Sequence, residues 1–380
     1  MREDVLVIGG GIIGLACARE LAIAGASVTV LEAEPALAQG STARANGGVR
    51  AQFTTTPNIA FSAFSIAAYE TLAAAHPEVA FHQTGYLLLA GTEDGAAGLE
   101  DAAALQRSHG VATRVLTPAE AGAMATGLRL EGLRAATFHA RDGFLDPAGA
   151  ADALAREARE AGVALRTRAP VRSIDRDGAV WKVTAGDEVH RADVVVNAAG
   201  TDAASVASLA GGTSVPVEPV RRNLAMFDDG PAPLTPMLVD LDTGVLARRE
   251  VAGGWVVAYS DPADPPGRRT TVDPRFLEAL AERVPHRFPF LAELPLDVGR
   301  CWAGLYPETP DHHAIVGHDP AAPGLLHAVG FGGHGVMHAP AAGRAIAELA
   351  TTGRCDAFDL APLRVTRFAE DDLVVEANVF

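Results

Sequence analysis

The sequence predicts an α/β chain, α+β overall, in which a nucleotide-binding Rossmann unit is interleaved with a second, mainly antiparallel sheet. Three observations carry this. A strand, glycine loop, helix and strand open the chain, and a strand, glycine turn and helix close it. Between Pro216 and about Arg300 the pattern changes to proline-punctuated strands such as "EPVRRNLAMF" and "GGWVVAYSD". At 380 residues the chain is long for one core and suits two domains.

Asp4 to Ile8 is an apolar run of strand length, followed by Gly9-Gly10-Gly11-Ile12-Ile13-Gly14, which fits G-x-G-x-x-G. Gly9 permits a tight turn, Gly11 lets the backbone approach a pyrophosphate, and Gly14 lets helix and strand pack closely. The helix starting at Ile12 and Ile13 offers N–H groups and a positive dipole end to phosphates. That alanine-rich helix runs to about Ala24, and Ser27 to Leu31 reads as a second strand closed by Glu32, placed to accept from ribose hydroxyls. Strand, glycines, helix, second strand and acid in order point to FAD or NAD.

A loop with many backbone donors, "AQGSTARANGGVRAQF", comes next and carries Arg44 and Arg50. Helical spacing then runs from Pro57 to about Ala75, and Phe81 to Ala90 reads as a strand. Residues 92–125 read as helices joined by a turn at Thr117-Pro118. Asp146-Pro147 opens a helix ending at Gly162, with a strand from Val163 to Arg166. Val171–Ile174, Ala179–Thr184 and Val189–His190 read as a small antiparallel sheet, and "ADVVVNAAGTDAASVASLA" as a separate buried strand, small-residue turn and helix. A helix is expected from Pro274 to Val284, and another from about Val336 to Leu349 after the turn at Gly330, Gly332, Gly333 and Gly335.

Composition narrows the function classes. A net charge of −16 disfavours nucleic acid, because no basic surface offsets phosphate repulsion. Cys17, Cys301 and Cys355 show neither metal spacing nor a disulfide framework. His312, His313, His318, His327, His334 and His338 crowd the last quarter without the spacing of a metal site, so no metal is expected. No apolar run reaches membrane-spanning length and the fingerprint starts at residue 4, so the expected location is the cytoplasm.

Several of these segments, in this order, resemble the D-amino-acid-oxidase-like flavoenzyme superfamily: "VLVIGGGIIGLACARELA", "GSTARANGGVR", "DGFLDP", "VVNAAG", "CWAGLYPETPDHHAIVG" and "GFGGHGVMHAPAAGRAIAEL". Within it, "GGVR", "PVRR", "TPDHHAIVG" and "GHGVMHAP" are most similar to the β subunits of heterotetrameric sarcosine oxidase and of related proline dehydrogenases. The resemblance implies FAD and oxidation of a C–H bond next to an amine. It implies a glutathione-reductase-like FAD-binding domain (residues 1–80, 140–214 and 320–380) and a substrate-binding sheet domain (81–139 and 215–319). Cofactor contacts are expected from the Gly9–Gly14 loop and Glu32, then Ala33, Ser41, Thr42, Arg44, Asn46, Gly47 and Gly48. They continue through Val171, Ala198, Ala199, Gly200 and Gly304 to Gly330, Gly332, Gly333, His334, Gly335, Val336 and Met337.

Departures from the family pattern shape the rest. The position where some relatives attach FAD through cysteine is Gly304, and the N-terminal loop has no histidine, so the flavin is expected to be non-covalent. Tyr306 and Met337 stand where two kinds of relative carry a carboxylate-binding arginine and lysine. Arg50 is then the leading carboxylate clamp, with Arg221, Arg222 and Arg300 as second choices. An oxygen-activating lysine is absent from the aligned Val256, and Lys182, the single lysine, lies in a predicted hairpin. Tyr259 and Tyr306 are expected to line the substrate cavity and His334 to lie near the flavin. The expected reaction is oxidation of a secondary, N-methylated or cyclic imino acid to an imine, with oxygen or another acceptor. The alternatives are a D-amino-acid or hydroxy-acid dehydrogenase, or an electron-relay subunit of a hetero-oligomer; homo- and hetero-oligomers both remain open.

Overall fold

The computed structural model describes residues 2–230 and 232–378. The chain opens with β1 (Arg2–Ile8), α1 (Ile12–Ile23) and β2 (Val28–Leu31), then β3 (Gly48–Val49) and the long α2 (Thr56–Ala75). It continues through β4 (Tyr86–Ala90), α3 (Glu93–Ser108), β5 (Arg114–Leu116), α4 (Pro118–Met124), β6 (Ala135–His139), β7 (Gly143–Phe144), α5 (Pro147–Glu160) and β8 (Ala164–Arg166). The middle holds β9 (Val171–Asp177), β10 (Val180–Ala185), β11 (Glu188–Asn197), α6 (Ala203–Leu209), β12 (Glu218–Phe227), β13 (Met237–Asp240), β14 (Val245–Arg249) and β15 (Trp255–Tyr259). The last part is α7 (Pro274–Arg287), α8 (Pro289–Ala292), β16 (Trp302–Glu308), β17 (Ile315–His318), β18 (Leu325–Val329), α9 (Gly335–Thr352) and α10 (Arg367–Glu370).

Two eight-stranded sheets result. The first has the path β17-β18-β11-β1-β2-β8, parallel throughout except for the antiparallel edge pair β17–β18. Its central strands are buried apolar runs, as a sheet covered on both faces requires. The second has the order β16-β12-β15-β14-β13-β4-β6-β5, with β13–β4 its one parallel pair. One face of it packs Leu87, Leu89, Ala225 and Val257 against Phe276, Leu280 and Val284 of α7.

Three sequence expectations are corrected. The strand expected from Phe81 starts at Tyr86, because Gly85 turns the chain at φ +79° and leaves only a bridge from His82 to Phe144. Residues 92–125 are not all helical: Arg114–Leu116 joins the second sheet beside β6, and Thr117 begins α4 with a capping box to Glu120. The small antiparallel sheet is not separate from the strand "ADVVVN" either. β11 is one ten-residue strand whose first half pairs with β10 and whose second half lies between β1 and β18.

Packing of α1 on α9 sets the centre of the first layer. A Cβ on Gly343 would lie 2.6 Å from the Ala16 carbonyl oxygen, so the two helices touch backbone to backbone there. α9 also carries an internal proline, Pro340, which lacks the N–H that the Val336 carbonyl would accept. α2 makes good the loss. Tyr69 donates its hydroxyl to the Val336 oxygen at 2.6 Å, and Ser65 Oγ accepts from the Ala341 N–H at 3.2 Å. Gly343→Val is therefore expected to lower the unfolding free energy by about 1–3 kcal/mol in denaturant titrations, the range of overpacked cores.

Candidate functional site

A cavity of about 610 Å³ runs between the two sheets. One end is the Gly9–Gly14 loop and the start of α1, with Glu32 beyond it at the end of β2. The loop is closed against the β11 end: a Cβ on Gly9 would lie 2.4 Å from the Ala198 oxygen, and one on Gly14 1.9 Å from the Gly9 oxygen. Gly14 thus serves packing and does not line the cavity, whereas Gly9, Gly11, Ile12 and Ile13 do. At Gly11 an added Cβ would meet only Thr42 Oγ1, at 3.4 Å, which leaves open backbone on the cavity wall. Thr42 takes the Ile12 N–H at 3.2 Å, and Gly11 supplies no side-chain cap to α1. Glu32 accepts from the Gly10 N–H at 2.7 Å and the Glu34 N–H at 2.8 Å, which holds its carboxylate beside the loop.

Most other expected cofactor residues line the same cavity. Ala33, Ser41, Thr42, Arg44 and Asn46 form one side, and Val171, Ala198, Ala199 and Gly200 another. Gly304, Gly330, Gly332, Gly333, Gly335 and Val336 close the far end. There α9 begins without a side-chain cap or an acidic residue in its first turn, so a second helix start faces the cavity. The far end is shaped by glycine: a Cβ on Gly333 would fall 2.5 Å from the Tyr306 ring, and one on Gly304 3.1 Å from Arg44 Cβ. Two lining residues carry a buried polar atom with no protein partner, Asn46 Oδ1 and Arg222 Nε. A cavity lined by two helix starts, by Glu32 after β2 and by unpaired polar atoms fits a dinucleotide.

A smaller chamber of about 70 Å³ adjoins the far end and shares Ala45, Asn46, Leu246, Tyr306, Gly333 and Val336 with the cavity. It is also lined by Gly47, Gly48, Arg50, Tyr86, His334 and Met337. Arg50 is 2% exposed; it donates to the Gln52 oxygen at 2.6 Å and to the Asn378 oxygen, and lies 3.8 Å over the Phe53 ring. Burial pulls its pKa down, opposed by Glu376 and by nearby Tyr86, Asp142 and Tyr306, and the guanidinium stays cationic. Asp142 accepts from Ala51 N–H, Gln52 Nε2 and His139, which fixes the segment after β3 that bears Arg50.

His334 packs edge-on against Phe53, with ring centroids 4.8 Å apart. Burial lowers its pKa well below the ordinary histidine value, and the charge of Arg50 adds to this. His338 behaves alike, pushed down to about 3 by burial and held by Ser62 at 2.9 Å. Both are neutral. Burial raises the pKa of Tyr86 and Tyr306, so both phenols keep their protons.

The candidates thus separate. Arg50, Tyr306 and His334 meet in the small chamber, while Tyr259 lines only the large cavity, under Arg283 at 4.0 Å. Arg222 lines the large cavity, paired with Glu308 at 3.2 Å. Arg221 is held by Asp264 and Asp273, and the half-exposed Arg300 pairs with Asp228; neither lines cavity or chamber. Asp311 forms a fully buried bidentate pair with Arg367. Sequence reasoning missed Tyr86, whose signal is a lone polar aromatic heading the run "YLLLA"; a Cβ on Gly48 would meet its hydroxyl at 2.1 Å. Asp240, Asp242 and His286 come within metal-binding reach of one another, but Arg287 pairs with both carboxylates. Among the described residues no helix is long and apolar enough to cross a membrane.

A profile of the family described as FAD dependent oxidoreductase matches residues 4–349. The chain is 30% identical over 417 residues to FAD-dependent oxidoreductase domain-containing protein 1 of Bos taurus, covering 97% of this chain and 85% of that protein. It superposes on L-proline dehydrogenase from P. horikoshii with a TM-score of 0.91, at 28% identity and with 98% and 99% of the two chains covered. Glycine oxidase from Geobacillus kaustophilus gives a TM-score of 0.84 at 28% identity, over 96% and 99%.

Glu32→Ala is expected to weaken FAD binding roughly 10- to 100-fold, the ~1.5–3 kcal/mol of a hydrogen bond to a charged group, measured by fluorescence titration. The histidines predict a pH effect. The unfolded chain protonates them near the ordinary value of 6.5, while the fold holds His338 neutral down to about 3. The unfolded state binds more protons in that window, so the contribution is complete above pH 6.5 and is lost as pH falls. His338→Gln is expected to flatten the loss of stability between pH 7 and pH 5 in denaturant titrations.

Proposed function

The chain belongs to the FAD dependent oxidoreductase family, and from that premise we propose that it oxidises a small secondary or N-methylated amino acid, or a cyclic imino acid. The observation that carries this is the small chamber: one buried cation, two phenols and a neutral histidine, beside apolar Leu246 and Met337. Its volume of about 70 Å³ holds about five to seven groups of water size, at ~10–15 Å³ each, and it opens onto the larger cavity through shared lining residues. That suits sarcosine or proline better than a long side chain. The carboxylate goes to Arg50, the buried guanidinium that lines this chamber, whose planar N–H groups match a carboxylate in a way the Tyr306 and Met337 side chains do not. Tyr86 and Tyr306 are phenol donors able to set the orientation of the same group.

Bound in the large cavity, FAD supplies the two-electron acceptor for the hydride leaving the carbon next to nitrogen. The cavity walls contain no cysteine or histidine among the described residues, which supports non-covalent binding. The nitrogen lone pair forms the C=N bond and its proton leaves to solvent; an acyclic imine is then hydrolysed by water. His334 does not take that proton, since burial beside Arg50 disfavours its protonated form. The amine binds neutral, and what the chain contributes is orientation. The acceptor that reoxidises the flavin is oxygen or another oxidant; Arg222 is a cation on the cavity wall, 5.1 Å from the Tyr306 ring centroid.

Arg50→Ala tests this. It is expected to raise KM for sarcosine and L-proline roughly 30-fold or more, matching the ~2 kcal/mol or greater loss of a buried charge pair. KM for their methyl esters should change far less. Unchanged KM for both amino acids would remove Arg50 from the site.

A further inference from the structure

The last described residues reverse the usual partition between inside and outside. Leu373, Val374 and Val375 are 37%, 41% and 60% exposed, whereas Glu376 and Asn378 are 1% and 7% exposed. A buried carboxylate is costly unless it is fully hydrogen-bonded. Glu376 meets that condition at the start of α2. It accepts from the Thr54 N–H at 2.9 Å, Thr54 Oγ1 at 2.6 Å, Thr55 Oγ1 at 2.7 Å, Asn58 Nδ2 at 3.1 Å and the Asn378 N–H at 3.1 Å. Thr55 is the N-cap residue of α2 yet makes no cap bond; its hydroxyl goes to Glu376 instead, at the positive end of a twenty-residue helix. Burial opposes ionisation of Glu376, but the bonds from Thr54 and Thr55 and the charge of Arg50 outweigh it and hold its pKa below the usual carboxylate range.

Two residues further on, the Asn378 carbonyl accepts from Arg50 Nη2, and Asn378 Nδ2 donates to the Gln52 oxygen at 3.3 Å. The same Gln52 oxygen accepts from Arg50 Nη1. The guanidinium plane is therefore set by carbonyls at two of its nitrogens and by the Phe53 ring beneath it. A segment that merely sealed the surface would turn its valines inward. This one turns its polar groups onto residues 50–58.

We infer that the carboxy-terminal segment, residues 371–378, braces the substrate chamber from behind Arg50: Glu376 anchors the chain so that the Asn378 carbonyl orients Arg50. Glu376 is then a positioning residue for the substrate carboxylate, acting through Arg50. The inference rests on the clamp role proposed for Arg50 above.

The test is equilibrium binding to the FAD-loaded protein, followed by perturbation of the flavin absorbance. The probes are methoxyacetate and tetrahydrofuran-2-carboxylate, oxygen isosteres of sarcosine and proline that lack the oxidisable amine. Glu376→Ala is expected to raise Kd about tenfold, and to have no further effect in the Arg50→Ala background, since coupled residues are non-additive. Thr54→Val, which removes one donor to Glu376 and keeps the side-chain volume, should move Kd the same way by about threefold. It serves if Glu376→Ala does not load FAD. A Kd that is unchanged or lowered by these variants overturns the inference, as does an equal rise with and without Arg50. If Arg50→Ala weakens binding and the Glu376 and Thr54 variants do not, the clamp stands and only the positioning role falls. If Arg50→Ala changes nothing, or neither probe binds, the clamp is wrong and the inference falls with it.

Discussion

The site depends on the backbone contact between α1 and α9. With Gly343 against the Ala16 carbonyl, two helices from opposite ends of the chain lie together, and both present their amino ends to one cavity. Those ends supply positive dipole charge without a single lysine. The pairing is exacting, because α9 is interrupted by Pro340 only a turn beyond its start. Tyr69 and Ser65 of α2 repair that break, so α2 serves the cavity's second helix start as well as its own layer.

α2 also ties the cavity to the chamber. Its amino end receives Glu376, while the connection from β3 into it carries Arg50 and Phe53. A cation 2% exposed can persist there because its neighbours are carbonyls, an aromatic face and a buried carboxylate nearby. The histidines stay neutral for the complementary reason: burial and the Arg50 charge both oppose a second positive charge. The chamber thus carries one permanent cation rather than several titrating ones, a simple basis for selecting a carboxylate.

How far the sequence foretold this varies with the range of the interaction. The opening unit was legible because strand, glycines, helix and acid are adjacent in the chain, and β1, α1 and β2 lie where the pattern puts them. The motifs with a local mechanism pointed to FAD or NAD, and the family resemblance chose FAD. Gly14 was legible as a packing glycine from the same motifs. The limits of β4 and the presence of β5 were not, since the turn at Gly85 and a three-residue strand beside β6 are settled by pairing partners distant in sequence. β11 was split in two because its halves change partner, and no local signal records that. The chamber was the least legible. Tyr86, Gly48, Asn378 and Glu376 come from separate segments, and a glutamate in an apolar tail reads as solvated until the Thr54 and Thr55 donors are seen around it.

Anaerobic mixing of the FAD-loaded protein with sarcosine, L-proline, D-amino acids and hydroxy acids, followed by flavin absorbance, tests the central claim most directly. Bleaching by sarcosine or L-proline, and not by hydroxy acids, is the predicted result, and the rate of recovery on admitting air identifies oxygen or another oxidant as the acceptor. A yellow protein that no amine bleaches would contradict an amino-acid substrate and leave the chamber without its proposed role.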